Sequence, residues 1–120
     1  MKSPGFSLFR NLLHSLRGVA EVSRHERPMQ VEWILFALMA PVPFFLEIPF
    51  LHKAALFISL LVPLAAELVN SAIERVVDLV TDDYHERARR AKDAASAVVL
   101  FALLITGLVW AALLTHHYLM

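Results

Sequence analysis

The sequence contains no cysteine and only three glycines in 120 residues. The lack of cysteine excludes disulfides and thiolate metal sites, but it leaves the cellular compartment open. The glycines stand at positions 5, 18 and 107, so the chain has no glycine-rich loop of the Walker or protein-kinase type. Neither of these common phosphate-binding signatures can therefore be used to assign a function from the residues.

Basic residues are nearly absent from one part of the chain. Of the eleven lysines and arginines, only Lys53 lies between the first two apolar runs, and the others precede the first run or lie between Glu74 and the last. The positive-inside rule then places the N-terminus and the second connection in the cytoplasm. The hydrophobic fraction of 58% exceeds the value of about 45–50% that is usual for soluble domains. The formal net charge of +0 gives no indication of a nucleic-acid partner. We therefore expect a single all-α integral membrane domain over residues 1–120.

Four helical segments are expected within this domain. Ser3-Pro4 has the pattern of an N-cap followed by a proline in the first turn. The residues after it place apolar side chains on one helix face and mostly basic ones on the other. This amphipathic helix, over 5–25, is typical of a helix that lies in the membrane interface, although packing on the rest of the protein is an equally good interpretation. Three membrane spans follow, over 29–51, 54–80 and, together with a preceding cytoplasmic turn, 83–118.

The first and third of these spans differ in regularity. The first contains Pro41 and Pro43, which cannot donate helix hydrogen bonds, so we expect it to be kinked. Before the third, Asp83 and Glu86 have the spacing of a capping box in which Asp83 is the cap and Glu86 reaches back to it. We therefore expect the third helix to start immediately after Asp83.

Polar residues on the predicted second span form one stripe. Glu67, Asn70 and Glu74 stand at i, i+3 and i+7, so a helix places them on one face, and Asp78 extends that face. A charge in hydrocarbon costs at least about 3 kcal/mol, and it persists where it faces a bundle interior, a cavity or a partner. We interpret the stripe as a candidate functional site. The alternative is a polar seam that only joins helices.

Charged groups from three segments are expected to meet at the cytoplasmic face: Glu26 after the first helix, Glu74 at the end of the second span, and Lys92-Asp93 at the start of the third. Carboxylates beside an amide suit a hard cation such as Mg²⁺, which often binds together with substrate phosphates, and a lysine can balance phosphate charge. Two classes of function fit these residues. One is an enzyme that transfers phosphate to a membrane lipid. The other is a small transporter or proton relay that uses Glu67 and Glu74 as a carboxylate ladder.

Parts of the chain closely resemble a known family. The resemblance to prokaryotic diacylglycerol kinases is carried by Glu67-Leu68-Val69-Asn70-Ser71-Ala72-Ile73-Glu74, by Tyr84-His85-Glu86, and by Ala91-Lys92-Asp93 with Ser96. It implies a homotrimeric enzyme of the bacterial inner membrane that phosphorylates diacylglycerol with MgATP to give phosphatidic acid, with active sites shared between neighbouring subunits. Related small kinases act on undecaprenol, and the sequence leaves that acceptor open.

The resemblance also implies a role for each matching residue. Glu67 would take the proton from the lipid's primary hydroxyl, with Ser96 also on the lipid side, whereas Glu26 and Glu74 would hold the Mg²⁺ bound to ATP. The nucleotide-binding set would comprise Glu26, Asn70, Glu74, His85, Glu86, Lys92 and Asp93. The family's first acidic motif is kept as Glu26 and Glu32, but Met29 and Gln30 stand where the family has a Phe-Arg pair.

Overall fold

The fold is seen in a computed structural model that describes Gly5 and residues 7–120. Over these residues all regular secondary structure is helical, with no strand. In chain order the helices are α1 (Leu8–His25), α2 (Arg27–Met39), α3 (Val42–Phe45), α4 (Phe50–Ser59), α5 (Leu61–Val80) and α6 (Glu86–Leu119). Three segments are long and apolar enough to cross a membrane: Arg27–Phe45, Phe50–Val80 and Glu86–Leu119. The architecture is that of an all-helical integral membrane protein.

The amphipathic helix α1 starts later than residue 5, the start that the sequence predicts. Ser7 is its N-cap, and the Ser7 hydroxyl accepts a hydrogen bond from the backbone N–H of Arg10 at 3.3 Å. The predicted cap at Ser3-Pro4 lies outside the residues that the structure describes. At its other end, α1 stops at an extended residue, Glu26, which separates it from α2.

The first span is shorter than the predicted 29–51. Its main helix, α2, ends at Met39, and the single turn of α3 ends at Phe45. Leu46 is extended, and the next helix begins at Phe50, directly after Pro49. Pro41 and Pro43 have no N–H to donate, but Ala40 and Pro41 keep helical backbone angles, so these prolines kink the span as predicted. The span ends further on, at the extended Leu46, and Pro49 disfavours helical geometry in the residue before it. Residues 50 and 51 therefore belong to the second span.

The second span is interrupted at Leu60, where α4 meets α5. The break lies one turn before Pro63, because proline cannot donate to the carbonyl of Ser59. The structure gives this carbonyl another donor, the hydroxyl of Thr106 on α6, at 2.9 Å. The indole N–H of Trp110, also on α6, donates to the carbonyl of Leu56 at 3.2 Å and to the Ser59 hydroxyl at 3.1 Å. The third span thus satisfies polar groups that the break leaves free.

The prediction of Asp83 as the cap of the third span is wrong. The observed N-cap is His85, whose Nδ1 accepts from the backbone N–H of Arg87 at 3.1 Å, and α6 begins at Glu86. At the first helical position, Glu86 is too close to the cap to complete a capping box. Its carboxylate instead accepts hydrogen bonds from neighbouring side chains. At the far end of α6, His117 Nε2 lies 2.7 Å from the carbonyl oxygen of Glu47, so the C-terminal end of α6 contacts the loop between α3 and α4.

The chain packs around the second span. α5 and α6 form the most extensive helix pair, and α2 packs on another side of α5. A small apolar cluster of Val22, Met29 and Leu64, supported by Phe36 and Leu68, joins the end of α1 to α2 and α5. Burial of these side chains fixes the corner between α1 and α2, which carries Glu26, against the helix that carries the polar stripe.

Candidate active site

The polar stripe of α5 is one hydrogen-bonded unit. The side-chain amide nitrogen of Asn70 donates to Glu67 Oε1 at 3.3 Å and to Glu74 Oε1 at 3.2 Å. Glu67 and Asn70 are only 4% and 8% exposed, whereas Glu74 is partly exposed. The structure thus brings together the three residues that helical spacing predicted, in a row that starts buried and becomes more exposed toward the C-terminal end of α5.

The carbonyl oxygen of Asn70 is buried and accepts no hydrogen bond from any described residue. A buried acceptor left unpaired costs about 1–3 kcal/mol, so such an atom is expected to have a ligand. Within the described part of the chain, no three His, Asp or Glu residues form a metal-binding cluster. The donors present, carboxylate and amide oxygens, suit Mg²⁺ that completes its coordination with phosphate oxygens and water.

A second acid from the first span lies near the buried end of the stripe. Glu32 on α2 is close enough to Glu67 for the two charges to interact through space. Glu32 also lines an apolar cavity of about 260 Å³ between the spans, whose other walls include Leu35, Phe36, Leu60, Pro63, Leu103 and Trp110. Apolar walls beside two acids suit a molecule with a hydrocarbon chain and a polar end.

Glu26 is held by an arginine that the sequence analysis did not single out. Arg75 on α5 donates from Nε to Glu26 Oε1 at 3.2 Å, and its Nη2 lies 3.1 Å from the same oxygen in an ion pair. Its third nitrogen, Nη1, donates to Glu21 Oε2 on α1. The Arg75 guanidinium, by hydrogen bonding first and charge second, holds the pKa of Glu21 below its usual range. In the sequence, the only indication that Arg75 belongs to the site was its position directly after Glu74.

The turn between α5 and α6 encloses a polar cavity of about 320 Å³. Three predicted nucleotide-binding residues line it, namely His85, Lys92 and Asp93. Other residues that line the cavity were not predicted to bind a nucleotide: Asp78, Thr81, Asp82, Asp83, Tyr84, Ala88 and Arg89. Of these, the sequence analysis placed Asp78 on the polar stripe, Asp83 at the helix cap and Tyr84 in the family motif. The others show no spacing that distinguishes them from an ordinary solvated turn.

Ion pairs organise the charged groups of this cavity. Lys92 Nζ lies 2.7 Å from Asp78 Oδ1, and Arg89 Nη1 lies 2.8 Å from Asp93 Oδ2. Glu86 does not line the cavity, but it accepts from the Tyr84 hydroxyl at 2.7 Å and from Arg89 Nη2 at 2.5 Å. The cavity thus combines the cations Arg89 and Lys92 and the aromatic Tyr84 with four aspartates, at the end of α5 and the start of α6.

Two of the predicted residues stand apart from these groups. Ser96 is exposed on α6, one turn beyond Lys92, and Glu26 has Arg75 as its hydrogen-bond partner. The described geometry therefore has three parts. They are the stripe on α5, the polar cavity at the turn, and the Glu26 corner that Arg75 ties to α5.

Comparisons with known proteins agree with this geometry. The sequence model of the family described as "Prokaryotic diacylglycerol kinase" matches residues 13–114. The chain is 36% identical to the diacylglycerol kinase of Haemophilus influenzae over 107 residues, which cover 89% of this chain and 91% of the relative. It is 31% identical to the diacylglycerol kinase of Escherichia coli K12 over 105 residues, covering 88% and 86%. It is also 36% identical to the undecaprenol kinase of Bacillus subtilis over 97 residues, covering 80% and 79%.

Proposed function

This chain belongs to the prokaryotic diacylglycerol kinase family and is a lipid kinase, and from that membership we propose how its residues phosphorylate diacylglycerol. The donor is ATP, bound with Mg²⁺ at the cytoplasmic face of a bacterial inner membrane, and the product is phosphatidic acid. The observation that carries the proposal is the Asn70 amide, which links the buried Glu67 to Glu74 beside the nucleotide cavity.

Glu67 is the general base. The Glu67 carboxylate accepts the proton of the lipid's primary hydroxyl, whose oxygen bonds to the γ-phosphorus of ATP while the bond from that phosphorus to the bridging oxygen breaks and ADP leaves. Asn70 fixes the orientation of Glu67 through the 3.3 Å hydrogen bond. The apolar cavity beside Glu32 receives the hydrocarbon of the lipid, and Ser96 lies on the lipid side.

The nucleotide occupies the cavity at the turn. Lys92 contacts the terminal phosphates, Asp93 keeps Arg89 in place beside them, and His85 and Glu86 lie near the rest of the nucleotide. Glu74 and Glu26, with the oxygen of Asn70 that accepts no hydrogen bond from a described residue, would hold the Mg²⁺ bound to ATP. When bound, Mg²⁺ neutralises phosphate charge.

The membrane arrangement follows from charge and exposure. α1 lies in the cytoplasmic interface, where its exposed Leu8, Phe9, Leu12 and Leu16 enter the lipid. The N-terminus is cytoplasmic under the positive-inside rule. The functional unit is a homotrimer, as the family resemblance implies, and the three spans of one chain barely enclose a site by themselves. Chemical crosslinking of an active preparation should give trimers, and finding only monomers would contradict this part of the proposal.

Undecaprenol is the second candidate acceptor, favoured by the identity to the Bacillus subtilis enzyme. Diacylglycerol is preferred because the matches to diacylglycerol kinases cover more of the chain. A transporter that uses Glu67 and Glu74 without ATP has no support from the family. Proteoliposomes should accordingly show no Glu67-dependent flux of protons or solutes in the absence of ATP.

The direct test offers purified protein in lipid vesicles radiolabelled ATP with diacylglycerol and undecaprenol in parallel. We expect labelled phosphatidic acid only with Mg²⁺ present. Glu67→Gln should lower turnover by about 10²–10⁴-fold while keeping MgATP binding, and Glu74→Gln should weaken Mg²⁺-dependent nucleotide binding. Glu47→Gln, at the outer end of the spans, is the matched control and should behave as wild type. Loss of nucleotide binding in a folded Glu67→Gln protein would contradict the assignment of the base.

A further inference from the structure

Arg75 joins two acids of the N-terminal segment to the helix that carries the polar stripe. Its Nε and Nη2 lie 3.2 and 3.1 Å from Glu26 Oε1, and its Nη1 donates to Glu21. The partners stand 49 and 54 positions earlier in the chain, so the contact is tertiary. A planar guanidinium with several donors can engage two carboxylates at once, which a lysine ammonium does with less directional constraint.

The backbone around Glu26 does not fix the direction of its side chain. Glu26 is extended, between the end of α1 and the start of α2, and its side chain makes no capping hydrogen bond to α2. Its carboxylate is only partly exposed, and Arg75 is its observed hydrogen-bond donor. The orientation of this carboxylate is therefore set by Arg75.

Arg75 also stands directly after Glu74, at the cytoplasmic end of the stripe. By holding Glu26 against α5, it fixes the Glu26 corner on the helix that carries Glu74. Glu21 gives Arg75 a second anchor, which stays available when the Glu26 carboxylate turns toward another cation.

We propose that Arg75 is a positioning residue that presents Glu26 to MgATP. Glu21, on α1, is the anchor that holds the Arg75 side chain against α1. The inference rests on the proposed role of Glu26 in binding MgATP. Arg75 acts through Glu26 and takes no part in proton transfer. Its loss therefore affects the affinity for MgATP and leaves the chemical step and the binding of diacylglycerol intact.

The test compares Arg75→Gln, Arg75→Lys and Glu21→Gln in vesicles, with kcat and both KM values measured. Partly exposed charge-assisted contacts contribute about 1 kcal/mol, so Arg75→Gln should raise the KM for MgATP on the order of fivefold, with kcat and the diacylglycerol KM within about twofold of wild type. Glu21→Gln should give a smaller increase, because Glu26 keeps its own contacts with Arg75. Arg75→Lys should be intermediate, since it keeps the charge and loses the fork.

Two controls make the result specific. Arg10→Gln removes an equal charge from α1, about three turns before Glu21, where the Arg10 side chain makes no ion pair with another described residue, and it should leave all constants unchanged. In the Arg75→Gln background, Glu21→Gln should add nothing, because the anchor has lost its partner. The mild Glu21→Gln change keeps the inference testable if Arg75→Gln does not fold.

An unchanged or lower KM for MgATP in Arg75→Gln would overturn the inference. Equal increases in the KM for MgATP and the KM for diacylglycerol would also overturn it, because they would indicate a purely structural contact. Additive effects of the two substitutions would also overturn it. A wild-type protein that fails to phosphorylate any lipid with MgATP would instead contradict the proposed function. The two failures are therefore distinguishable.

Discussion

Asn70→Asp probes the bonded stripe most directly, because it replaces one amide nitrogen with an oxygen at nearly constant size. That nitrogen lies 3.3 Å from Glu67 Oε1 and 3.2 Å from Glu74 Oε1. At an effective dielectric constant of about 20, two unit charges about 3.3 Å apart repel by about 5 kcal/mol, so a new carboxylate would face about 10 kcal/mol from its two neighbours. A typical domain is stable by only about 5–15 kcal/mol. At least one of the three carboxyl groups must therefore hold a proton, or the protein unfolds.

The stability of the Asn70→Asp protein should therefore depend on pH. Protonation relieves the repulsion, so the loss of stability relative to wild type should be smallest in acid and should grow as the pH rises. Thermal unfolding in detergent, followed by circular dichroism at about pH 5 and about pH 8, measures the difference directly. The double variant Glu67→Gln/Asn70→Asp leaves two carboxylates and should recover most of the lost stability at the higher pH. Equal unfolding temperatures for Asn70→Asp and wild type at both pH values would refute the bonded stripe.

Three further predictions concern contacts around the site. Thr106→Val should lower the free energy of unfolding by about 0.6–1.7 kcal/mol in mixed micelles, as expected for one interhelical hydrogen bond, and an unchanged value would contradict the role of this hydroxyl at the helix break. Asp78→Asn frees Lys92 from its exposed ion pair, so the KM for MgATP should fall by less than about fivefold, and a rise would show that the pair positions Lys92. Arg75 holds the pKa of Glu21 below its ordinary value of 4.5. The ion pair between Arg75 and Glu21 should therefore persist at pH values above 4.5 and weaken as the pH falls through the lowered pKa. Spin labels on α1 and α5 should therefore separate only in that acid range, and separation near neutral pH would contradict the link.

The site residues on a single helix were predictable from the sequence. Glu67, Asn70 and Glu74 were grouped by helical spacing alone, and the structure joins them through one amide. The prediction succeeds because α5 is regular over these positions, so sequence distance translates directly into direction around the helix axis. The Lys92 contact with Asp78 was harder to anticipate, because it depends on how the turn folds back.

The contact of Arg75 with Glu21 and Glu26 could not be predicted in this way. It depends on the packing of Val22 and Met29 against Leu64, which brings α1 beside α5. No local pattern encodes that approach. The end of the first span was missed for a different reason, since it depends on the extended Leu46 and on Pro49, which starts the next helix.

The helix break at Leu60 ties the second span to the third. Because Thr106 and Trp110 on α6 donate hydrogen bonds to Leu56 and Ser59 at the end of α4, a change in the tilt of α4 would carry α6 with it. Bilayers that differ in thickness would then be accommodated by α4 and α6 moving together. Glu67, about two turns beyond the break on α5, would keep its place relative to Asn70 and Glu74.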